Sequence, residues 1–250
     1  MNRHMFREYD IRGVFERDLN QESVTTLGRA LGTYFIQRQK TRVAVGRDCR
    51  LSSPLIRDWL SAGLVDAGVS VLDLGVVPTP LAYFAIYHLK TDGSIMITGS
   101  HNPPEYNGFK ITLGTDSLFG AQIQEVLGLI QAGDLKTGGA AAGAKVEVYP
   151  SLVPEYLDTV LDNIKPGPRR PKVVLDAGNG TGGVIAQPLF ERMGFDVECL
   201  FMEMDGRFPN HHPDPSEEKN LVALRARVLE TGADLGIAYD GDADRAWVID

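Results

Sequence analysis

A short apolar strand, a turn carrying aspartate, a helix stopped by glycine and a second strand occur in that order twice along this chain. The first copy runs through Val43-Ala44-Val45, a turn with Asp48, a helix ended by Gly68 and a strand to Leu74. The second runs through Val173-Val174-Leu175, a turn beginning at Asp176, a helix to Met193, Gly194 and a strand to Phe201. Each is the pattern of a βαβ unit, whose crossover helix brings two strands parallel in one sheet. Two such units predict an α/β protein with two related three-layer α/β/α domains and mixed, mostly parallel sheets. A length of 250 residues accommodates both. The run Thr137–Ala144 is Gly/Ala-rich and aperiodic, and reads as an exposed loop near the domain boundary. The expected division is 1–147 and 148–250, with Lys165–Pro171 as a hard breaker inside the second part.

The remaining punctuation fits this alternation. Asn20 is a candidate N-cap for a helix with Val24, Leu27, Leu31 and Tyr34 at helical spacing. Ser53-Pro54 and Thr79-Pro80 each read as an N-cap followed by a first-turn proline. Ile95-Met96-Ile97-Thr98 is a short buried strand leading into Gly99-Ser100-His101-Asn102-Pro103-Pro104. Helices are expected around Ile123–Ile130 and from about Leu152 to Ile164. Asp234–Tyr239 is a strand that delivers Asp240-Gly241-Asp242-Ala243-Asp244-Arg245, and another strand begins at Ala246. The chain stops soon after, at Asp250, so it is expected to be a fragment of something longer.

Charge and cysteine usage narrow the function classes. With 25 Lys+Arg against 33 Asp+Glu the net charge is −8, and no long basic run offers itself to a nucleic-acid backbone. No apolar stretch reaches the roughly 18 residues of a spanning helix, and no apolar core follows Arg3 and Arg7 as in a signal peptide. Cys49 and Cys199 are too few and too isolated for a disulfide framework or a metal-ligand pattern. The expectation is a cytoplasmic protein with no nucleic-acid or membrane partner, its oligomeric state open.

Four features could carry chemistry. Asp240, Asp242 and Asp244 alternate at a strand end, with Arg245 beside them. Three carboxylates on one loop can converge on a hard cation, and magnesium leaves positions for phosphate oxygens. The arginine adds a fork for a phosphate. An EF-hand fits poorly, because Arg245 stands where its turn glycine belongs. Alternatively the segment is an acidic solvated turn.

The second feature is Ser100, on a turn after a buried strand, flanked by Gly99 and His101. It could present a nucleophile at the carboxyl edge of a sheet, or be a polar loop bonded to its own backbone. No G-x-S-x-G elbow supports a serine-hydrolase triad. The third is Phe6-Arg7-Glu8-Tyr9-Asp10-Ile11-Arg12-Gly13, which on spacing alone is a salt-bridged N-terminus. Its companion Asn107-Gly108-Phe109-Lys110 places a lysine near the reacting hydroxyl or merely at a surface. The fourth, Gly178-Asn179-Gly180-Thr181-Gly182-Gly183, matches a dinucleotide fingerprint literally, with Glu203 near the ribose-acid position. It also suits a tight turn with close packing, and Asp176 and Asn179 crowd it. His211-His212-Pro213 reads as a structural or interdomain loop, because adjacent histidines in an extended segment point apart.

Taken together, the segments 6–13, Val45-Gly46-Arg47-Asp48, Thr98–Pro103, Asn107–Lys110 and Asp240–Arg245 resemble the α-D-phosphohexomutases, in the right order along the whole chain. The form of segment 6–13 looks most like the phosphomannomutase/phosphoglucomutase branch. Gly99 stands where many members have alanine.

The resemblance implies that Ser100 is carried as phosphoserine and exchanges its phosphoryl group with a hexose monophosphate, mannose or glucose. The intermediate would be a hexose 1,6-bisphosphate, with glucose 1,6-bisphosphate as activator. It implies Mg²⁺ held by Asp240, Asp242, Asp244 and an oxygen on Ser100. Arg12 and Arg245 match arginines near the phosphoserine, Lys110 matches a lysine assisting proton transfer, and His101 lies beside the serine. Tyr9 and Asn102 join Arg245 as candidate substrate- or phosphate-binding residues. A base is needed for proton transfer at the weakly acidic hydroxyls, Lys110 or His101. The family has four domains, so the third and fourth, with the sugar loop and the far phosphate site, are expected to be absent and turnover weak or nil. Two other readings stay open: a haloacid-dehalogenase-like phosphatase with an aspartate nucleophile at Asp240-Gly241-Asp242, and a non-catalytic phosphosugar- or nucleotide-binding module.

Overall fold

The computed structural model describes residues 1–250 and contains two sheets. The first unit comprises β1 (Ile11–Val14), α1 (Gln21–Gln37), β2 (Arg42–Arg47), α2 (Ser53–Ala67), β3 (Ser70–Val76), α3 (Thr79–His88), β4 (Gly93–Ile97), β5 (Tyr106–Leu113), β6 (Asp116–Ser117), α4 (Ala121–Ala132) and β7 (Val146–Val148). Its sheet runs β1-β5-β4-β2-β3-β7, with β6 on β5. Strands β4, β2, β3 and β7 are mutually parallel, while β5 is antiparallel to both β4 and β1. After α5 (Leu152–Asn163) come β8 (Lys172–Asp176), α6 (Ala186–Arg192), β9 (Asp196–Leu200), α7 (Val222–Thr231), β10 (Leu235–Tyr239) and β11 (Ala246–Ile249). The second sheet runs β11-β10-β8-β9, parallel except for β11. Residue 147 therefore lies within β7, which pairs with β3 of the first sheet.

The layers follow from the alternation of side chains along each strand. Val43, Val45, Ile95 and Ile97 face the large core formed with Leu27, Leu31, Ile56, Leu60 and Leu64 of α1 and α2. Ala44 and Met96, one residue out of phase, face Leu81, Ala82 and Ala85 of α3 and Leu152 of α5. In the second unit Val174 and Ala238 meet Leu224 and Val228 of α7, while Val173 and Leu175 meet Ala186 and Phe190 of α6. Both sheets are thus covered on two faces, as parallel strands require. Helices α1 and α2 cross closely at Gly28 and Gly63. A Cβ on Gly28 would strike the Leu60 carbonyl, and one on Gly63 the Thr25 carbonyl.

Asn20 caps α1 as expected, its Oδ1 accepting from the Ser23 N–H at 3.0 Å in a reciprocal capping box. The other two expected caps are displaced by one residue. The N-caps are Ser52 and Pro78, and Ser53 and Thr79 are the first helical residues. Their hydroxyls are committed elsewhere: Ser53 Oγ donates to Asp48 at 2.5 Å and Thr79 Oγ1 to Asp242 at 2.5 Å. The helix expected to run unbroken to Met193 is instead a 3₁₀ turn, Thr181–Val184, followed by α6, because the glycine run does not sustain an α-helix. No helix is long and apolar enough to cross a membrane.

Candidate active site

Parallel strands deliver their following loops to one sheet edge, and the two sheets present those edges to each other. The loop after β4 carries Ser100, and the loop after β10 carries Asp240, Asp242 and Asp244. Ser100 is buried, with φ of +49°. That left-handed conformation is uncommon for a residue with a Cβ and must be held by its surroundings. Its N–H donates to Thr98 Oγ1 at 2.8 Å and its carbonyl accepts from Arg50 Nη2 at 2.9 Å.

Arg50 is the hub of this loop. The guanidinium is completely buried and pairs with Asp48 at 3.1 Å. It also donates to the carbonyls of Ser100, Asn102, Pro103 and Tyr106, at 2.9, 2.7, 2.5 and 3.1 Å. Asp48 in turn accepts from the Gly99 N–H at 3.1 Å. Sequence reasoning assigned no role to either residue; the signal available was a charged pair directly after a buried strand.

Ser100 Oγ donates to Asp240 Oδ2 at 2.9 Å, across the seam between the two units. Arg245 donates to Asp240 Oδ2 at 2.8 Å, to Ser100 Oγ at 3.3 Å and to His101 Nδ1 at 2.6 Å. His101 Nδ1 lies 3.3 Å from Ser100 Oγ. Since Arg245 can only donate, Nδ1 carries a lone pair and the imidazole is the Nε2–H tautomer. Burial, then the Arg245 charge, holds the His101 pKa below its ordinary value. The loops can approach because residue 241 is glycine: a Cβ there would lie 2.5 Å from the Ser100 carbonyl oxygen.

Lys110 on β5 bridges Asp242 at 2.6 Å and Asp244 at 2.5 Å. Burial opposes its charge, but the two carboxylates outweigh burial and raise its pKa. Asp242 shows the complement: burial pushes its carboxyl up, yet Lys110 and the Thr79 hydroxyl bring it below the ordinary value. Asp240 has no ammonium partner, and burial followed by the charges of Asp242 and Asp244 pushes it up to about 6. Oxygens of the three carboxylates lie within 4.8 Å of one another. Asp242 Oδ1 is buried with no hydrogen-bond partner. An all-oxygen set with one buried, unsatisfied anionic oxygen suits a hard divalent cation.

Arg12 on β1 donates to Asn102 Oδ1 at 2.5 Å and to Asp10 at 2.6 Å, reaching the serine loop from the other side. Tyr9 stands apart from this cluster, 75% exposed on the wall of a 450 Å³ pocket shared with Tyr83, Lys110, Phe119 and Asp244. The glycine run 178–183 packs against the metal-candidate loop. The Thr181 N–H donates to the Gly241 carbonyl at 3.0 Å, and a Cβ on Gly180 would lie 2.7 Å from the same oxygen. Its glycines therefore serve close packing between loops. His211 and His212 point apart: His211 pairs with Asp176 at 3.1 Å, and His212 hydrogen-bonds the His101 carbonyl. Thr79, a cap candidate on sequence, instead makes a contact with Asp242 that crosses the seam.

The models for alpha/beta/alpha domains I and II of phosphoglucomutase/phosphomannomutase match residues 3–136 and 154–250. A phosphomannomutase/phosphoglucomutase of Pseudomonas putida is 46% identical over 245 residues, 98% of this chain and 52% of its own. A phosphoglucomutase of Neisseria meningitidis serogroup B is 44% identical over 99% of this chain and 53% of its own. The crystal structure of a phosphoglucomutase/phosphomannomutase family protein from Burkholderia thailandensis has a TM-score of 0.93 at 39% identity, covering 100% of this chain and 55% of that one. The chain spans about half the length of the curated relatives it matches.

Proposed function

This chain belongs to the phosphoglucomutase/phosphomannomutase family, and from that premise we propose that it carries the phosphoryl-transfer centre of a phosphohexomutase acting on hexose phosphates. The observation that carries the reading is the seam itself. A buried serine hydroxyl is in hydrogen-bond contact with Asp240 and Arg245, and Lys110, Asp242 and Asp244 converge from the same two units. Phosphoryl transfer depends on positioning and charge neutralisation more than on covalent chemistry by the protein, and this set supplies both.

In the proposed cycle Ser100 is phosphorylated. The Oγ–P bond breaks as a sugar hydroxyl oxygen forms the new P–O bond. The hydroxyl proton passes to the enzyme and Ser100 Oγ regains one. The hexose 1,6-bisphosphate turns over and returns its other phosphoryl group to Ser100. Asp240, Asp242, Asp244 and a phosphoserine oxygen would hold Mg²⁺, which when bound neutralises charge on the transferring group. Arg245 and Arg12 position phosphate oxygens, with Asn102 held by Arg12. Lys110 keeps its proton between two carboxylates and serves as a charge, whereas His101 Nδ1 lies 3.3 Å from Ser100 Oγ with its lone pair accepting from Arg245, and becomes available as a base when that arginine turns to a phosphate oxygen. Tyr9 flanks the pocket beside Lys110 where the sugar would pass. We assign the location to the cytoplasm and the domains to 1–147 and 148–250, with Val148, the last residue of β7, remaining on the first sheet. The relatives are about twice as long as this chain, so the chain itself is tested at the half-reaction on Ser100.

The test is phosphosite mapping by mass spectrometry, before and after incubation with glucose 1,6-bisphosphate and Mg²⁺. Phosphate on Ser100, absent from Ser100→Ala, is the expected result. Phosphate on an aspartate of the 240–245 loop would replace this reading with an aspartate-nucleophile phosphatase.

A further inference from the structure

Asp242 divides its two oxygens unequally. Oδ2 accepts from Thr79 Oγ1 at 2.5 Å and from Lys110 Nζ at 2.6 Å. Oδ1 is buried and accepts from nothing. The Asp242 main chain is held by the same residue, since its carbonyl accepts from the Thr79 N–H at 2.9 Å. Thr79 is wholly buried and belongs to the first unit, whereas Asp242 belongs to the second. One residue therefore pins both the backbone and the carboxylate of Asp242 from across the seam.

A helix cap would not explain this. Thr79 is the first residue of α3, Pro78 occupies the N-cap position, and no side chain caps the helix. The hydroxyl is turned away from the helix N–H groups and onto the carboxylate. A threonine is stiff at χ1, because two heavy atoms on Cβ restrict its rotamers, so the hydroxyl direction is set before any ligand arrives.

We propose that Thr79 is a positioning residue for the metal centre: by saturating Asp242 Oδ2 and fixing the plane of the carboxylate, it turns Oδ1 toward the cation. This rests on reading Asp240, Asp242 and Asp244 as metal ligands. Groups that orient ligands in this way are commonly worth about 10–100-fold in metal affinity. The effect is specific to the hydroxyl, which separates it from a packing role for the threonine methyl.

The test is Mn²⁺ binding by the 250-residue chain, read from the electron paramagnetic resonance signal of the free ion. The parent is compared with Thr79→Val, Thr79→Ala and Thr79→Ser, each checked for a cooperative melt in EDTA. Thr79→Val, close in shape but without the hydroxyl, is expected to weaken binding by about 10–100-fold. Thr79→Ser is expected to stay close to the parent, and Thr79→Ala supplies the comparison if the valine variant does not fold. Parent-like affinity in a folded valine or alanine variant would overturn the role of Thr79 and leave the function standing. So would a loss in Thr79→Ser as large as in Thr79→Val. A parent that binds no Mn²⁺, or that binds equally well after Asp242→Asn, would overturn the metal reading itself and this inference with it.

Discussion

Replacing Arg50 by methionine tests what holds the serine loop in place. The guanidinium and its partner Asp48 are 0% and 2% exposed, so the pair has no solvent to fall back on. Removing one member of a buried pair strands the other's charge and costs about 3–5 kcal/mol. Four carbonyls of the loop lose their donor as well, but the loop can open to water and recover part of that. The expected loss is therefore about 3–5 kcal/mol, a large share of the roughly 5–15 kcal/mol that holds most domains folded. With a urea slope of about 1–3 kcal/mol per molar, the midpoint should fall by roughly 1 M or more.

Trp59 in α2, stacked on Phe15 at 6.1 Å, reports on the first unit once Trp247 is replaced by Phe. Amides 99–106 should exchange faster in Arg50→Met. Adding Asp48→Asn should return part of the loss, because it removes the stranded carboxylate. A drop of less than about 1 kcal/mol, the size of one ordinary hydrogen bond, would refute the argument. The loop would then be held by its own backbone and not by the guanidinium.

Three further outcomes are expected. Burial opposes the charge on His211, but the hydrogen bond and charge of Asp176 outweigh it and raise the His211 pKa above its ordinary 6.5. That pair's stabilisation is thus complete below about 6.5 and lost as the pH rises through the raised value; urea midpoints at acid and alkaline pH should diverge in the parent and converge in His211→Gln. Burial, then Asp48, pushes the Cys49 thiol from 9.0 up to about 12. In a Cys199→Ser background its reaction with a disulfide reagent should be at least about 100-fold slower folded than in urea. Gly241→Ala drives a methyl toward the Ser100 carbonyl, so phosphorylation of Ser100 by glucose 1,6-bisphosphate should fall sharply while the far-UV spectrum is kept.

The parts visible in the sequence are those whose local pattern matches their final surroundings. Val43–Val45, Ile95–Ile97 and Val173–Leu175 are central strands covered on both faces, so they read as unbroken apolar runs. β1 and β5 are not legible in the sequence because their role is set by distant partners. Arg12, Asn107 and Lys110 interrupt the apolar pattern, and these strands make sense only as an antiparallel pair at one side of the sheet. α7 carries an equally faint signal, since only Leu224 and Val228 are buried along its ten residues. Ser53 and Thr79 follow the same rule: a hydroxyl before proline reads as a cap, and only the folded chain shows which acceptor it finds. In the candidate site, Ser100 and the three aspartates were legible as residues. Their convergence, 140 positions apart in sequence for Ser100 and Asp240, belongs to the topology. Arg50, wholly enclosed, gave no sign beyond its neighbour Asp48.

α5 touches α3 in the first unit and α6 in the second. It thus acts as a gauge for the angle between them. A change of about 1 Å in the placement of reacting groups can cost on the order of 100-fold in rate. A substitution that alters how α5 seats, made away from Leu152 in the first unit's core, would keep every candidate-site side chain present, yet would be scored in a genetic screen alongside changes at Ser100. Variants along 152–163 should accordingly be sorted by the spacing between the two units before being counted as failures of stability.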